Sequence, residues 1–319
     1  MYKIFALNSS KDLSKKLIKN ELPSILGNIS TKKFSDGEIK VEINESIRGK
    51  RIILVGSLNS SDDIIEFLMA SDAAHRVGVK EIIALIPYLP YMRQDRKDVP
   101  RTAIGAKVIA KILETVGINQ LITLDLHAEQ IEGFFDIPVT HLYGRSIFCP
   151  FIKKNFKDLT DFMIVSPDVG GAKRAKKFAS KLELPLAIIN KEREMANEVS
   201  SMELMGNVEG KKVIIVDDMV DTAGSLCKAT ELLLEQGATE VFACITHGIL
   251  SGPAIERIRE SKLTKLYITD SIKLGVNNDE KFNTKVQIVS CSTVFSRALK
   301  IINSKKSISN FIDKSDIIE

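Results

Sequence analysis

Short runs of Ile, Val and Leu recur along this chain, and they constrain its fold more than any other feature. They lack the polar alternation of a strand with one face in water, which is typical of strands buried on both faces of a parallel sheet. Segments of helical period, such as Ile104–Val116, lie between the runs. Alternating strands and helices predict an α/β fold. The runs are Ile52–Val55, Ile82–Ile86, Leu121–Leu124, Phe162–Val165, Leu186–Ile189, Val213–Val216, Val241–Ile245 and Leu266–Ile268.

A repeated local pattern indicates how many domains the chain forms. A helical segment, a glycine and then an apolar run occur in that order at Gly78, Gly117 and Gly237. This order is typical of a helix that ends at a left-handed glycine before a buried strand. Because the pattern occurs in both halves of the 319 residues, we expect two tandem domains, each with a mostly parallel sheet. We place them at 1–143 and 144–299, with the segment from about 300 to 319 packing back on the first.

Composition excludes several classes of protein. Hydrophobic residues make up 44% and charged residues 27%, as in an ordinary globular protein. The net charge of +4 is too small and too scattered for a nucleic-acid surface. No apolar stretch reaches the roughly 18 residues of a membrane helix. The four cysteines are far apart without a Cys-x-x-Cys pair, which favours reduced thiols in the cytoplasm over a disulfide framework or zinc site.

Polar residues that directly follow apolar runs mark candidate ligand sites, because ligands of parallel sheets bind beyond the carboxyl ends of the strands. The most unusual such place is Val213–Ser225, where the run gives way to Asp217 and Asp218 and then to a loop of small residues. Backbone N–H groups of such a loop can hold a phosphate, and carboxylates can accept hydrogen bonds from sugar hydroxyls. The pattern predicts a phosphorylated sugar. The alternative is a plain helix start capped by Asp221 or Thr222.

At three other places, polar residues also follow directly after an apolar run. His127 is followed by carboxylates, which favours contact with a metal or phosphate, although a lone histidine is more often structural. The segment Pro87–Thr102 is rich in Tyr and Arg and is either a nucleotide-binding loop or a solvated charged loop. Lys191 and Arg193 point the same way in an extended segment. They either stabilise a transferred phosphoryl group or form a surface charge cluster.

The motifs at these places resemble those of one family. Residues 216–225, VDDMVDTAGS, resemble the signature for binding phosphoribosyl diphosphate (PRPP) that type I phosphoribosyltransferases and PRPP synthetases share. Residues 125–135, DLHAEQIEGFF, resemble a signature of ribose-phosphate diphosphokinase, the PRPP synthetase, that phosphoribosyltransferases lack. The resemblance extends in order from Phe5 to Phe311 and implies two tandem phosphoribosyltransferase-like domains. Further matching segments are FSDGE (34–38), PYLPYMRQD (87–95), SPDVGGAKR (166–174), KER (191–193) and SISNF (307–311).

The resemblance implies a reaction and a set of site residues. The β,γ-diphosphoryl group of ATP would move to O1 of ribose 5-phosphate, giving PRPP and AMP with Mg²⁺ as cofactor. Lys191 and Arg193 would be catalytic, and His127 and Asp168 would contact the metal. Ribose 5-phosphate would bind Asp217, Asp218, Asp221, Thr222, Ala223, Gly224 and Ser225. ATP would bind Arg93, Gln94 and Asp95, together with Phe34, Asp36 and Glu38 of a neighbouring subunit. An effector site would include Ser46, Arg48, Ser307 and Ser309.

The resemblance also implies a homo-oligomer, commonly a hexamer, that is cytoplasmic and has neither nucleic acid nor membrane as a partner. Two alternatives remain. A phosphoribosyltransferase would share the PRPP loop but would leave the N-terminal half without a task. A non-catalytic, synthetase-associated regulatory subunit would be expected to have lost catalytic positions that this chain keeps. The chain departs from the family pattern at Ala103 and Gly105, where proline and serine are common, and at Glu192 and Glu194 in the catalytic loop.

Overall fold

The computed structural model describes residues 2–20, 24–192, 201–275, 279–309 and 311, without the side chains of 191, 192 and 201. The strands, in chain order, are β1 (Lys3–Ala6), β2 (Ile25–Leu26), β3 (Ile29–Lys33), β4 (Ile39–Ile43), β5 (Arg51–Val55), β6 (Glu81–Ile86), β7 (Gln120–Leu124), β8 (Val139–Leu142), β9 (Phe162–Ser166), β10 (Leu186–Glu192), β11 (Ser201–Met205), β12 (Lys212–Val220), β13 (Glu240–Gly248), β14 (Lys265–Thr269) and β15 (Val286–Val289). The α-helices are α1 (Lys11–Lys19), α2 (Ser61–Arg76), α3 (Gly105–Thr115), α4 (Arg145–Asn155), α5 (Ala172–Leu182), α6 (Gly224–Glu235), α7 (Ala254–Glu260), α8 (Glu280–Lys285) and α9 (Ser292–Asn303).

The chain divides into two compact units. The first is formed by the described residues of Met1–Tyr143, Ser271–Lys273 and Cys291–Ser315, and the second contains Gly144–Asp270 and Leu274–Ser290. Helix α9 belongs to the first unit, where it packs on α1: the Ser296 hydroxyl donates to the Leu17 carbonyl at 3.2 Å.

The first unit has a parallel sheet in the order β2-β1-β5-β6-β7-β8. Helix α2 connects β5 to β6, and α3 connects β6 to β7, as expected for crossovers between parallel strands. Strands β3 and β4 form a separate antiparallel hairpin that packs on α2. The second unit has a sheet in the order β11-β10-β9-β12-β13-β14-β15, parallel except for the antiparallel pair β10–β11.

The core of the second unit explains why the apolar runs do not alternate. Val213 and Ile215 of β12 pack into one apolar cluster with α6, whereas Ile214 and Val216 pack into another with α4 and α5. All four side chains are completely buried. A central strand covered by helices on both sides needs apolar residues on both faces. The predicted α/β fold with mostly parallel sheets is confirmed.

The predicted glycine turns are confirmed as well. Gly78, Gly117 and Gly237 have φ values of +76°, +86° and +90°, and each follows a helix end and precedes a buried strand. At Gly117 the space is also filled, because an added Cβ would lie 2.6 Å from Nδ1 of His75. A residue with a side chain would therefore strain both the backbone and the packing there.

Two further expectations concern cysteines and membrane helices. Cys149, Cys244 and Cys291 are buried and Cys227 is half-buried, and none of the four forms a disulfide. Burial raises the pKa of the Cys149 thiol to about 12, which keeps that thiol protonated. In the part of the chain that the structure describes, no helix has the length and apolar character needed to cross a membrane.

Candidate active site

Strand β12 carries the two acidic residues of the predicted sugar site. The sequence predicted that this strand ends in these two carboxylates and that a loop follows directly, but the structure continues the strand to Val220, so the predicted loop started two residues too early. The reason is that β13 is equally long and pairs with the extension, Asp217 opposite Ile245 and Val220 opposite Gly248. Asp217 and Asp218 therefore project from within the strand and not from its last residues, and their backbone positions are fixed by the sheet.

One arginine side chain bridges the two carboxylates. Nη1 of Arg174, on α5, lies 3.0 Å from Oδ1 of Asp217 and 3.2 Å from Oδ1 of Asp218. The Asp218 N–H also donates to Oδ1 of Asp217 at 2.9 Å. Burial and the neighbouring Asp218 carboxylate raise the pKa of Asp217 well above its usual range, and the Arg174 guanidinium opposes that rise. The arrangement offers polar acceptors whose charge is partly balanced.

The loop after β12 is held from outside by the segment that follows β13. The Ser251 hydroxyl donates to the Asp221 carboxylate, and Nη1 of Arg257 donates to the Thr222 carbonyl at 3.0 Å. Helix α6 starts after Ala223, which has a left-handed φ of +60° and, among the described residues, no side-chain capping hydrogen bond. The residue at the N-cap position is therefore Ala223, and neither Asp221 nor Thr222 occupies it.

The shape of this loop suits a small anion. Its residues are short, and the N–H groups in the first turn of a helix have no acceptor within the helix. Gly224 is tightly packed, since an added Cβ would lie 3.1 Å from Nη1 of Arg257. Backbone groups of Asp221–Ser225 can thus approach a phosphate closely. That these residues bind the 5-phosphate stays a prediction.

Asp168 lies at the end of β9, the strand next to β12. Its Oδ1 accepts from the Gly171 N–H at 2.8 Å, and its carbonyl accepts from the Ser166 hydroxyl at 2.7 Å. An added Cβ at Gly171 would lie 2.9 Å from Oγ of Ser166, so a larger residue there would displace the Ser166 hydroxyl. Asp168 also contributes to the raised pKa of Asp217, which places its carboxylate in the same electrostatic environment. The structure brings Asp168, Asp217 and Asp218 together at the carboxyl edge of the sheet.

Lys191 and Arg193 were predicted to follow a strand that ends at Ile189. The structure instead extends β10 to Glu192 and pairs Lys191 with Met202 of β11, so the predicted strand end was wrong. The antiparallel partner β11 supplies the backbone hydrogen bonds that allow this extension. The Lys191 side chain, all of Arg193 and Glu194 lie outside the described residues.

In the first unit, the segment after β6 carries three of the predicted ATP-binding residues. The Gln94 carbonyl accepts from the N–H of Ala106 at the start of α3, at 3.2 Å. The Gln94 side chain lies over Gly105, where an added Cβ would approach its Oε1 to 2.7 Å. Nε2 of Gln130 donates to Oδ2 of Asp95 at 3.2 Å. This last bond links the segment of Arg93–Asp95 to the segment that carries His127.

The other predicted ATP-binding residues lie at the tip of the β3–β4 hairpin. The Phe34 N–H donates to the Glu38 carbonyl at 2.8 Å, the Glu38 N–H donates to Oδ1 of Asp36 at 3.1 Å, and Gly37 turns the chain with a φ of +98°. The Phe34 side chain is 51% exposed. The tip therefore presents an apolar ring and two carboxylates outward on a hydrogen-bonded turn.

His127 follows β7 on an irregular turn. Its side chain is exposed, and the residue before it, Leu126, is buried in the core. Asp125 has a left-handed φ of +36°, so the backbone bends sharply where it leaves the strand. The turn holds His127 at the carboxyl edge of the first sheet, as predicted for a residue that meets a ligand.

The four predicted effector residues are exposed and polar, and all lie in the first unit. The Ser46 carbonyl accepts from Nζ of Lys50 at 2.9 Å. The Ser309 N–H donates to the Ser307 hydroxyl at 3.4 Å, while Arg48 lies against the Gly78 turn. Their assignment as an effector site stays a prediction.

The donor groups of the site fit Mg²⁺. Over the described residues, no three His, Cys, Asp or Glu side chains are grouped so that they could enclose a metal ion. Mg²⁺ does not need such a group, because it keeps several waters and binds one or two carboxylates together with substrate phosphates. Asp168, oriented by the Gly171 N–H, supplies a suitable oxygen donor. The imidazole of His127 is a softer donor, better suited to contact through a metal-bound water.

Comparison with known proteins decides among the alternatives. The family model for the N-terminal domain of ribose phosphate pyrophosphokinase matches residues 2–117, and the phosphoribosyl transferase domain model matches residues 151–278. A ribose-phosphate pyrophosphokinase of Oceanobacillus iheyensis is 44% identical over 313 residues, covering 98% of this chain and 97% of that protein. The ribose-phosphate pyrophosphokinase of Porphyromonas gingivalis is 44% identical over 308 residues, 96% of each chain. The chain belongs to the ribose-phosphate pyrophosphokinase family.

A solved structure agrees with this membership. The phosphoribosylpyrophosphate synthetase from Mycobacterium smegmatis superposes with a TM-score of 0.87 at 32% identity, covering 96% of this chain and 100% of that one. The resemblance noted in the motifs is thus confirmed, and the chain is an enzyme of the ribose-phosphate pyrophosphokinase type. The phosphoribosyltransferase alternative fails because relatives in this family match both halves of the chain. The regulatory-subunit alternative loses its basis, since the matched relatives are named as the enzyme itself.

Several residues of the ribose-phosphate pyrophosphokinase site were not assigned a role from the sequence. Arg174 belongs to a quoted motif, yet only the tertiary structure shows that it contacts both Asp217 and Asp218. Ser251 and Arg257, which hold the loop after β12, come from about 30 residues further along the chain and have no local signal. His141 was also not assigned a role, and its Nε2 accepts from the N–H of Leu126, the residue before His127.

Proposed function

We propose that this enzyme transfers the β,γ-diphosphoryl group of ATP to O1 of ribose 5-phosphate, giving PRPP and AMP. The observation that carries the proposal is the group formed by Asp168, Arg174, Asp217 and Asp218 at one sheet edge, directly before the loop 221–225. Acceptors for sugar hydroxyls and a backbone anion cradle are thus adjacent in one chain segment. A sugar that carries a phosphate at one end has the matching chemistry.

In this proposal the second unit holds the acceptor sugar. Asp217 and Asp218 accept hydrogen bonds from the ribose hydroxyls, and backbone N–H groups of Asp221, Thr222, Ala223, Gly224 and Ser225 donate to the 5-phosphate. The sugar is then held at both ends, and its O1 is fixed relative to the diphosphoryl donor. Such positioning converts a bimolecular step into one within a bound complex, which is a large part of the acceleration in phosphoryl-type transfer.

The chemical step forms a bond between O1 of the ribose and the β-phosphorus of ATP. The bond between that phosphorus and the oxygen bridging to the α-phosphorus breaks, AMP leaves, and O1 releases its proton. Lys191 and Arg193 stabilise the charge on the transferred group. Mg²⁺, when bound, neutralises charge on the triphosphate, as expected for a family that generally needs a divalent metal; Asp168 and His127 are the residues that would contact it.

The nucleotide binds through Arg93, Gln94 and Asp95 and through the hairpin-tip residues Phe34, Asp36 and Glu38 of a neighbouring subunit. The exposure of Phe34 supports this role, since an exposed aromatic ring at the tip of a turn is available to a second molecule. The enzyme is accordingly a homo-oligomer, with a hexamer as the expected form.

We place it in the cytoplasm, where ATP and ribose 5-phosphate are available. Ser46, Arg48, Ser307 and Ser309 form an effector site.

The domain limits are also part of the proposal. We keep residues 1–143 as the first domain and start the second at 144. The contact between α9 and α1 favours ending the second domain at Ser290 instead of 299. The described residues from about 300 to 309, and 311, then belong with the first domain, as the sequence predicted.

A ³¹P NMR time course with ATP, ribose 5-phosphate and Mg²⁺ tests the reaction. Equal amounts of AMP and a sugar-linked diphosphate are expected, and neither should form without ribose 5-phosphate. ADP together with a ribose bisphosphate would contradict the proposal, because it would mean transfer of a single phosphoryl group. Asp218→Asn serves as the matched variant, since it keeps the side-chain size but removes one charged acceptor, and we expect it to raise the KM for ribose 5-phosphate at least about tenfold.

A further inference from the structure

His141 is a buried histidine on β8, and both of its ring nitrogens have partners. The Leu126 N–H donates to Nε2 at 2.9 Å, and Nδ1 lies 2.7 Å from Oε1 of Glu132. Because Nε2 accepts a hydrogen bond, the hydrogen-bond network assigns the proton to Nδ1, which donates it to Glu132. The ring is 3% exposed and lies 4.3 Å, between centroids, from the ring of Tyr143.

The two partners of His141 lie at the two ends of the segment that presents His127. Leu126 directly precedes His127, and Glu132 belongs to the 3-10 helix Glu129–Phe134 that follows it. The backbone N–H of Asp125 also donates to the Leu142 carbonyl on β8 at 2.9 Å. Strand β8 thus holds both ends of this segment, including the sharp bend at Asp125.

Packing alone does not account for a histidine at this position. An apolar side chain of similar volume would fill the same buried space, but it would remove the acceptor of the Leu126 N–H. A buried N–H group without an acceptor is costly, and the turn could regain a partner only by changing its backbone conformation. The left-handed φ of Asp125 is a conformation that persists when surrounding contacts enforce it.

We propose that His141 and Glu132 are positioning residues that fix the turn at 125–127 and thereby aim the His127 side chain at the metal–nucleotide complex. This inference rests on the proposed function, because it assigns His127 to that complex. His141 and Glu132 contact neither substrate nor metal and act through the backbone of Leu126. Residues that orient metal-contacting groups typically change metal affinity or activity by about 10- to 100-fold when removed.

Four variants separate positioning from packing. His141→Leu removes both hydrogen bonds while keeping an apolar side chain in the site. His141→Gln places an amide oxygen near the position of Nε2, and Glu132→Gln keeps an oxygen that accepts from Nδ1 of His141. His75→Gln, an exposed histidine on α2, is the matched control for losing an imidazole elsewhere in the same unit.

Two measurements use Mn²⁺ with ATP as the probe. The first is the affinity for Mn²⁺–ATP, measured by electron paramagnetic resonance. The second is the paramagnetic broadening of the His127 ring resonance by bound Mn²⁺–ATP. For His141→Leu we expect about 10- to 100-fold weaker binding, reduced broadening of His127 and faster hydrogen exchange at the Leu126 amide. Binding by Glu132→Gln and His75→Gln should stay within about threefold of the wild type, and His141→Gln should recover part of the loss.

The steady-state kinetics distinguish positioning from general damage. The KM for ribose 5-phosphate of His141→Leu should stay within about twofold of the wild type, since the sugar site is built from the second unit. If His141→Leu does not fold, as judged by thermal unfolding, Glu132→Ala replaces it with the same expected direction. Faster exchange at Leu126 with unchanged Mn²⁺–ATP affinity would overturn the inference.

The inference and the proposed function fail in different ways. A wild-type enzyme that makes no PRPP refutes the proposed reaction, yet broadening of His127 by Mn²⁺–ATP that is lost in His141→Leu would still support the positioning role. If the wild-type His127 resonance is not broadened at all, the positioning inference is overturned, even if PRPP is formed.

Discussion

At the scale of single residues, Arg174 determines whether two adjacent carboxylates can face the same site. Its Nη1 contacts both Asp217 and Asp218, and its side chain is only 19% exposed. Two like charges in a poorly solvated place are unfavourable unless a cation balances them. The arginine therefore both stabilises the folded state and sets the charge that a sugar hydroxyl meets.

Replacing Arg174 by Leu tests this double role. We expect the free energy of unfolding to fall by about 2 kcal/mol, since an uncompensated pair of carboxylates remains. We also expect the KM for ribose 5-phosphate to rise at least about tenfold, because the carboxylates lose their fixed geometry. Chemical denaturation and initial-rate kinetics are the measurements. Lys176→Met, an exposed cation on the same helix, is the control; equal effects from both variants would contradict the prediction.

The raised pKa of Asp217 gives a prediction on pH. A raised pKa means that the folded protein holds this proton more tightly than the unfolded chain, so its contribution to stability is lost as the pH rises through the raised pKa. The asparagine of Asp217→Asn does not ionise, so this variant does not lose stability in that way as the pH rises. We expect its Tm to exceed that of the wild type at pH 8, and the difference to shrink as the pH falls towards about 4.

The same substitution should lower activity, because an amide is a weaker acceptor for a sugar hydroxyl than a carboxylate. Activity and Tm would then change in opposite directions, which is common for residues of a functional site. Asp161→Asn, whose side chain is 74% exposed, controls for the loss of a carboxylate in the same unit. A Tm of Asp217→Asn below the wild type at every pH would refute the prediction.

At the scale of elements, the glycine turns that precede buried strands have two separate physical requirements, whether the turn follows a helix, as at Gly117, or a strand, as at Gly210. Gly117 has a φ of +86° and is packed against His75, whereas Gly210 has a φ of +71° and no heavy atom within 4 Å of an added Cβ. At Gly210, therefore, only the left-handed backbone conformation favours glycine. Gly117 combines backbone and packing in one residue.

Alanine substitutions separate the cost of the left-handed backbone from the cost of the packing clash. Gly210→Ala should reduce the free energy of unfolding by about 1 kcal/mol, the cost of a left-handed residue with a Cβ. Gly117→Ala should cost clearly more, because the added methyl group also displaces the His75 ring. Adding His75→Ala to Gly117→Ala should recover part of the difference, measured by urea denaturation. Equal losses for the two single variants would show that packing contributes nothing at Gly117.

The elements were predicted from the sequence in type but not in length. Every apolar run that was singled out lies in a strand, because burial on both faces is a local and continuous signal. The ends of β10 and β12 were misplaced, since polar residues there are tolerated by pairing with β11 and β13. Pairing partners are distant in sequence, and no local pattern reports them.

At the scale of the whole molecule, the proposed sharing of active sites between subunits has a direct test. Asp36→Ala disables the hairpin tip, and Asp218→Ala disables the sugar site. Each variant alone should be inactive. Mixed oligomers of the two should recover activity, up to about a quarter of the wild type, because random neighbours combine an intact tip with an intact sugar site at that frequency.

Mass spectrometry of the mixed oligomers confirms that subunits have exchanged. A mixture of Asp36→Ala with Glu38→Ala is the control, since both lack an intact tip and should stay inactive together. Mixed oligomers of Asp36→Ala and Asp218→Ala without activity would mean that each active site is built from one chain.

The sequence by itself determined the α/β fold, the glycine turns and the family, because burial period, turn chemistry and motif spacing are local properties of the chain. It also singled out Asp217 and Asp218, because they end an apolar run, and Asp168, because its motif resembles one of the family. Only the tertiary structure decided that Arg174 bridges the carboxylates and that His141 holds the turn before His127. Those contacts join residues of different elements, and their geometry depends on how the sheet places strands and helices side by side.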